Sequence, residues 1–393
     1  MNQKYYLIIP AYLFFISCNY SGSNQILSQN QDDETFEIVV NESQNFAWPS
    51  DLVVDDVVYL QTNKETLISK LGKLVISPDR SRYIVVDKQL KKILIFDQLG
   101  NNIKVFDKKG PAPDEYLHFR DVHINFQTET IEILEYRNIQ VYSLQTFEHL
   151  KTISLLNIKG DINYNNLASI DTIYYLWTPI TANQRLDLIE MSEYNKYHLI
   201  KKDGDDIEYF TQYQHGVVLD DKFYPSNVDG EFNISPILGS NTIYRLTKDG
   251  MFPKISFPFA SNNPPQEDLE NYIGNEVEFG YSKYFKHISN IRETNQHIYF
   301  TYTGNGVGYH LLFDSKNKKI ISTGKLKDFR VQMIASDSKY FYCSISPNVY
   351  QKLKNEGSSF DNHPLLKHVD TSKFESEDNP IIIKFHIPVD TEN

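Results

Sequence analysis

The sequence has little that could serve as a covalent staple. Only two of its 393 residues are cysteine, Cys18 and Cys343, so no disulfide framework holds the fold, which must close on packing alone. Positive charge is in deficit as well. With 39 Lys and Arg against 51 Asp and Glu, the net charge is −12, which argues against a nucleic-acid partner, since that needs a basic face. The one long apolar run, Tyr5 to Ile16, covers about twelve residues and is too short to cross a bilayer as a helix. No HExxH, paired CxxC, GxSxG, P-loop or dinucleotide fingerprint occurs. These gaps remove most recognisable catalytic machinery.

Aromatics, by contrast, are plentiful: 27 Tyr and 24 Phe suit pleated, half-buried surfaces and tilt the chain towards β structure. The N-terminus reads as an address. Lys4 precedes the apolar run, which ends at Phe15-Ile16-Ser17-Cys18 and resembles the lipobox of bacterial lipoproteins. Residues 1–17 are thus expected to be a signal peptide, with Cys18 the lipidated residue. Residues 18–34, rich in Asn, Ser and Gln, form a flexible tether, because such a composition cannot bury a core. Residues 35–393 remain for one folded domain.

That body repeats. Lys73–Ser77, Tyr83–Asp87, Lys92–Asp97 and Ile103–Asp107 are four strands separated by turns at Pro78-Asp79-Arg80 and Leu99-Gly100-Asn101. The middle two are continuous apolar runs, as expected of strands covered on both faces. Six third strands are read, at Ile95–Asp97, Val141–Ser143, Leu188–Glu190, Ile243–Arg245, Leu312–Asp314 and Ile383–Phe385. Six such sheets stacked face to face predict an all-β fold, a six-bladed β-propeller of four-stranded antiparallel blades. Two short helical insertions in the C-terminal half are predicted at 264–273 and around Val349 and Leu353 before Gly357. One of the N-terminal strand candidates, Phe36–Val40 or Val57–Leu60, is expected to pair with the run Ile381–Ile387 and close the ring.

The pattern of residues 67–150 resembles the six-bladed propeller lipoproteins of Bacteroides-type bacteria, relatives of the NHL-repeat propellers. That group carries a Gly-x-Gly-Pro-Gly-Glu-Tyr loop; here it reads Gly110-Pro111-Ala112-Pro113-Asp114-Glu115-Tyr116. Ala112 and Asp114 stand where glycines are usual, which questions any positive φ there. The resemblance implies a fold and a cell-envelope location, and it carries no shared reaction.

Candidate chemistry is sparse. His118 with His123, and His363 with His368, lack metal-ligand spacing, so no metal and no cofactor is expected. Asp203-Gly204-Asp205-Asp206 reads as a polar hairpin turn, and Cys343 as an apolar filler. The lysine doublets, Lys91-Lys92 and Lys201-Lys202 among them, read as solvated hairpin ends. With Trp48 and Trp177 the only tryptophans, the Asp-box turns of sialidase-type propellers are missing. No catalytic residue is assigned. A ligand face is expected where the chain enters an inner strand after the Gly110 loop, with Glu115, Tyr116, Arg120, Asp121 and His123 as candidates. The expected role is an outer-membrane, lipid-anchored binding module for an envelope glycan, peptide or protein, touching membrane only through its anchor. The alternative is a hydrolase or lyase with its site at the channel mouth.

Overall fold

Arg82–Asp87 (RYIVVD) and Lys92–Asp97 (KILIFD) are buried along almost their whole length, on both faces. Antiparallel pairing of these two runs, flanked by Leu71–Ile76 and Asn102–Phe106, makes a four-stranded sheet whose apolar faces both need cover. The chain supplies that cover by repeating the sheet. In the computed structural model, residues 34–40, 43–159, 164–178, 197–212, 223–235, 241–260, 263, 282–325, 331–355 and 363–388 are described. They form six blades in a ring.

Numbered in chain order, the strands are β1 (Glu34–Thr35) and β2 (Val53–Tyr59), then β3 to β6 of blade 1 between Leu71 and Phe106. Blade 2 is β7 (Asp121–Asn125) to β10 (His149–Ser154), and blade 3 is β11 (Asn166–Ile170) to β14 (Asp206–Gln212). Blade 4 is β15 (Tyr224–Pro225) to β18 (Gly250–Ser256), and blade 5 is β19 (Lys286–Glu293) to β22 (Lys319–Lys325). Blade 6 is β23 (Gln332–Ser336), β24 (Phe341–Ile345) and β25 (Ile381–His386), completed by β2 as its outer strand. The first strand of each blade lines the central channel.

The ring is therefore closed by strands from both ends of the chain. Val57–Leu60 is the candidate that does this, with Val57 opposite Ile383 and Tyr59 opposite Ile381. The other candidate takes a different path: Glu34–Thr35 pairs parallel to β18, Ile38 bridges Phe259, and Asn45 bridges Lys325. Residues 34–40 and 43–46 thus cover the outer edges of blades 4 and 5, edges that would otherwise offer unpaired backbone groups. Gly324 permits this close approach, since a Cβ there would sit 2.5 Å from the carbonyl carbon of Asn45. Asn379 ties the closure: its Oδ1 accepts from Ile68 N at 2.7 Å, and its Nδ2 donates to Gln61 O and Thr66 O, each at 2.9 Å.

Five of the six third strands fall where expected, in β5, β9, β17, β21 and β25. In blade 3 the third strand is Tyr197–Asp203; Leu188–Glu190 lies outside the described residues. Periodicity alone placed it about ten residues early, because the sequence between the second strand, ending at Trp177, and Tyr197 is longer than the repeat allows. Helix α1 (Pro347–Asn355) forms around Val349 and Leu353, burying Tyr350 and Leu353. The expected helix at 264–273, the signal peptide, Cys18 and the tether up to residue 33 lie outside the described residues. Asp203–Asp206 is the tight turn between β13 (Tyr197–Asp203) and β14, with Gly204 at φ 56°.

The core is made of side chains between blades. Cys343 is fully buried against Met333, and burial pushes its thiol far up, so it stays protonated and inert. Trp177, Tyr175, Tyr299, Tyr302 and Tyr309 are among the largest wholly buried side chains, which accounts for the aromatic-rich composition.

Candidate functional site

The loop that enters blade 2 is built by local hydrogen bonds. Tyr116 N donates to Lys108 O at 3.0 Å, Gly110 N to Tyr116 O at 3.2 Å, and Ala112 N to the Glu115 carboxylate at 3.0 Å. Neither Ala112 nor Asp114 takes a positive φ, so the missing glycines cost no backbone strain. Tyr116 is wholly buried, stacked on Phe106, with its hydroxyl donating to Lys91 O at 2.7 Å. Glu115 and Tyr116 thus order the junction between blades 1 and 2.

The next residues turn towards the channel. Glu135 accepts from Leu117 N and His118 N at 2.8 and 3.0 Å and fixes the approach to β7. Arg120 donates to Tyr164 O at 2.8 Å, and its guanidinium lies 4.3 Å from the centre of the Tyr136 ring. Asp121 has no exposed surface. Its carboxylate accepts from Lys73 Nζ at 2.7 Å and Leu167 N at 2.9 Å, with Lys88 Nζ at 3.6 Å. One carboxylate therefore joins blades 1, 2 and 3. Burial alone would raise its pKa, but the two ammonium groups and the amide outweigh that and hold it below the ordinary carboxylate value.

His123 sits one step further along β7. Burial, helped by the Lys73 charge, pushes its imidazole down to about 3, so it is neutral at physiological pH. Its ring meets Phe232 of blade 4 at 5.5 Å. Opposite it on β8 (Thr130–Leu134) is Glu132, whose carboxyl is 1% exposed and pushed up to about 7 by burial. The hydroxyls of Ser169, Thr130 and Tyr174 pull the other way and do not compensate. A carboxyl with a raised pKa holds its proton in the folded state, so this contribution is fully present below the unfolded value near 4.5 and is lost as pH rises to about 7. Glu132→Gln, which keeps the shape and removes the charge, is expected to stabilise the chain at pH 7.5 by about 1–3 kcal/mol. The gain should vanish near pH 4.5 in denaturant unfolding; equal stability of both chains at pH 7.5 would refute it.

All six blades contribute to one cavity of about 870 Å³ at the channel end where the inner strands begin. Among the described residues, six that line it are cations, Lys70, Lys73, Lys88, Lys91, Arg120 and Arg292, and none is Asp or Glu. Its floor includes Tyr299 and His310, joined by a short hydrogen bond between the Tyr299 hydroxyl and His310 Nδ1. Burial pushes the His310 imidazole down to about 3 and the Tyr299 phenol well up. Both shifts move the pair away from neutral-pH acid–base work.

Of the five expected face residues, Arg120 lines this cavity and Asp121 lies beneath two of its lysines. Glu115 and Tyr116 belong to the blade junction, and His123 does not line the mouth. Of the lysine doublets read as solvated ends, Lys318-Lys319 is exposed as expected, while Lys91-Lys92 and Lys201-Lys202 are not simply solvated. Lys91 lines the mouth, Lys92 donates to Glu65 O at 2.7 Å, and Lys202 is buried with Nζ donating to Gly204 O at 2.5 Å. The signal was present in the repeat: Lys88 and Lys91 flank the turn between the second and third strands, and that turn meets the channel mouth. Among the described residues no cluster of His, Cys, Asp and Glu has the geometry to hold a metal.

Fold and site together define a six-bladed β-propeller with a basic channel mouth in an acidic chain. The chain belongs to the family of a domain of unknown function, DUF4934, whose model matches residues 38–386. It is similar in structure to a Bacteroides fragilis protein described as exported, with a TM-score of 0.71 and 18% identity over 90% of this chain and 99% of that one. It is also similar to a member of the DUF4221 family from Bacteroides vulgatus, with a TM-score of 0.53 and 9% identity over 85% of this chain and 97% of that one. At such identities the likeness shows the fold alone. No curated protein matches the chain.

Proposed function

We propose that this protein is an exported, lipid-anchored binding module of the cell envelope, in the outer membrane, which takes a glycan, peptide or protein ligand at its channel mouth. The observation that carries the reading is the cavity itself: concave, polar, open to six sets of loops, and of a size suited to a small ligand or the end of a larger one. Export and anchoring rest on the apolar run at residues 5–16 and on Cys18. No helix among the described residues is long and apolar enough to cross a membrane.

Binding is favoured over the alternative of hydrolysis or elimination. A His310 this weakly basic is a poor proton acceptor at neutral pH, and a Tyr299 this weakly acidic is a poor donor. Two measurements test the proposal. Cys18→Ala should move the protein from the membrane fraction to the soluble one; unchanged fractionation would remove the anchor. On an array of envelope glycans and peptides, Arg120→Ala should lose at least about tenfold in affinity, or 1.4 kcal/mol, while thermal unfolding shifts little. A large loss of stability with binding intact would make Arg120 a blade-junction residue only.

A further inference from the structure

We infer that the channel mouth takes the end of a linear glycan, seated end-on in a pocket that is closed behind it; this rests on the binding reading above. The first and second strands of each blade turn at the opposite end of the channel, at residues 77–81, 126–129, 171–172, 226–231, 294–296 and 337–340. All of these residues are among those described. Turns of adjacent blades are tied to one another. Arg80 donates to Asp337 at 2.8 Å and to the Ser338 hydroxyl at 3.0 Å, joining blades 1 and 6. Asn295 N donates to Ser338 O at 2.8 Å, joining blades 5 and 6. The Ser226 hydroxyl donates to Glu293 at 3.0 Å, joining blades 4 and 5, and Asp171 N donates to the Gln127 side-chain oxygen at 3.1 Å, joining blades 2 and 3.

Two further contacts cross the channel. Gly230, at φ 75°, is packed so closely on Gln127 that a Cβ there would lie 2.5 Å from its Nε2, and the Phe232 ring meets His123 at 5.5 Å. Both link blades 2 and 4, which are not neighbours, so the contacts pass inside blade 3 and narrow the channel. The cavity stops short of this end: among the described residues, none that lines it belongs to the six turns. A ligand therefore enters and leaves by the mouth alone. A stiff polymer can offer such a pocket only its end, and a volume of about 870 Å³ holds a few sugar rings.

The wall of the pocket suits a sugar. Asn165, Asn166, Asn290 and Gln332 bring amides to it, and Ser289 and Thr301 bring hydroxyls. These groups both donate and accept, as each sugar hydroxyl does. Asn166 is 4% exposed and its Oδ1 has no hydrogen-bond partner, an acceptor left for a sugar hydroxyl. Tyr136, 49% exposed, also lines the pocket, with its ring against the Arg120 guanidinium. The exposed part of that ring is a surface for the apolar face of a sugar.

Isothermal titration calorimetry on the full chain, in detergent if anchored, decides the matter. The probes are linear hexasaccharides of glucose, mannose, xylose and galactose, a soluble linear polymer of the tightest-binding sugar, and a pool of hexapeptides. The tightest-binding hexasaccharide is also made with both ends capped, one as an aryl glycoside and the other as a benzylidene acetal. At least one hexasaccharide should bind, at least about tenfold more tightly than its capped form. The polymer should take up one protein per chain whatever its length. Tyr136→Ala, at an exposed position, should weaken binding severalfold without altering thermal unfolding. Equal binding of capped and uncapped sugars, several proteins on each polymer chain, binding of the peptides alone, or binding of no probe would overturn the inference. The channel-mouth reading survives the first three results provided Arg120→Ala abolishes the binding seen. It falls with the inference if a probe binds and neither Arg120→Ala nor Tyr136→Ala weakens it.

Discussion

A chain lacking Val53–Tyr59 is expected to lose cooperative unfolding. That strand is the outer member of blade 6, paired with β25 over six residue pairs from Val53–His386 to Tyr59–Ile381. Removing it deletes about six backbone hydrogen bonds, each contributing roughly 1 kcal/mol net. Val58, 3% exposed, packs with Leu74, Tyr83, Leu94 and Ile382 across the seam to blade 1, and its loss adds about 1.5–3 kcal/mol. The total is comparable with the whole stability of an ordinary domain, roughly 5–15 kcal/mol. The exposed edge of β25 would also invite pairing between copies. Circular dichroism on heating should show a broad, low transition or aggregation. A point variant separates closure from length: Val58→Asp buries an unpaired charge and should cost about 3–5 kcal/mol. A sharp transition within a few degrees of the parent in both chains would show that the ring does not depend on this closure.

Asp121→Ala is the second change with a large expected effect. It leaves Lys73 and Lys88 facing each other without their shared carboxylate and strips the buried Leu167 N–H of its acceptor. Breaking a buried pair in this way costs about 3–5 kcal/mol; the lysines are 24% and 30% exposed, so water relieves part of it and the lower figure is expected. The sign with pH follows from the depressed pKa. The folded state binds its proton less readily than the unfolded one, so the stabilisation is full above the ordinary unfolded value of 3.8 and is lost as pH falls through the folded value. Stability of the parent should therefore drop on acidification below about pH 4 more steeply than that of Asp121→Ala. Parallel acid limbs in urea titrations would contradict the assignment.

The architecture was legible because a propeller writes its packing into its strands. Runs such as Tyr83–Val86 and Ile93–Phe96 are apolar without alternation, which only a doubly covered sheet needs, and the runs recur. What failed to show was register in blade 3, where the sequence between Trp177 and Tyr197 is longer than the repeat allows. The site was less legible for a different reason. Lys70, Lys73, Lys88 and Lys91 look like turn lysines one at a time, and Arg292 lies some 200 residues away in sequence. Only closure of the ring brings them to one mouth. The entry into β7, where Arg120 and Asp121 stand, could be picked out in the sequence by the Gly110–Tyr116 loop that precedes it. The sequence could not show that Tyr116 turns inwards to the core, since a buried tyrosine and a ligand-facing one have the same letter.

The most direct test of the account is a crystal structure of the chain soaked with the tightest-binding member of the glycan and peptide array. The account predicts that ligand in the channel mouth, against Arg120. A ligand seated on the outer strands, or at the other end of the channel with the mouth left open, would contradict it.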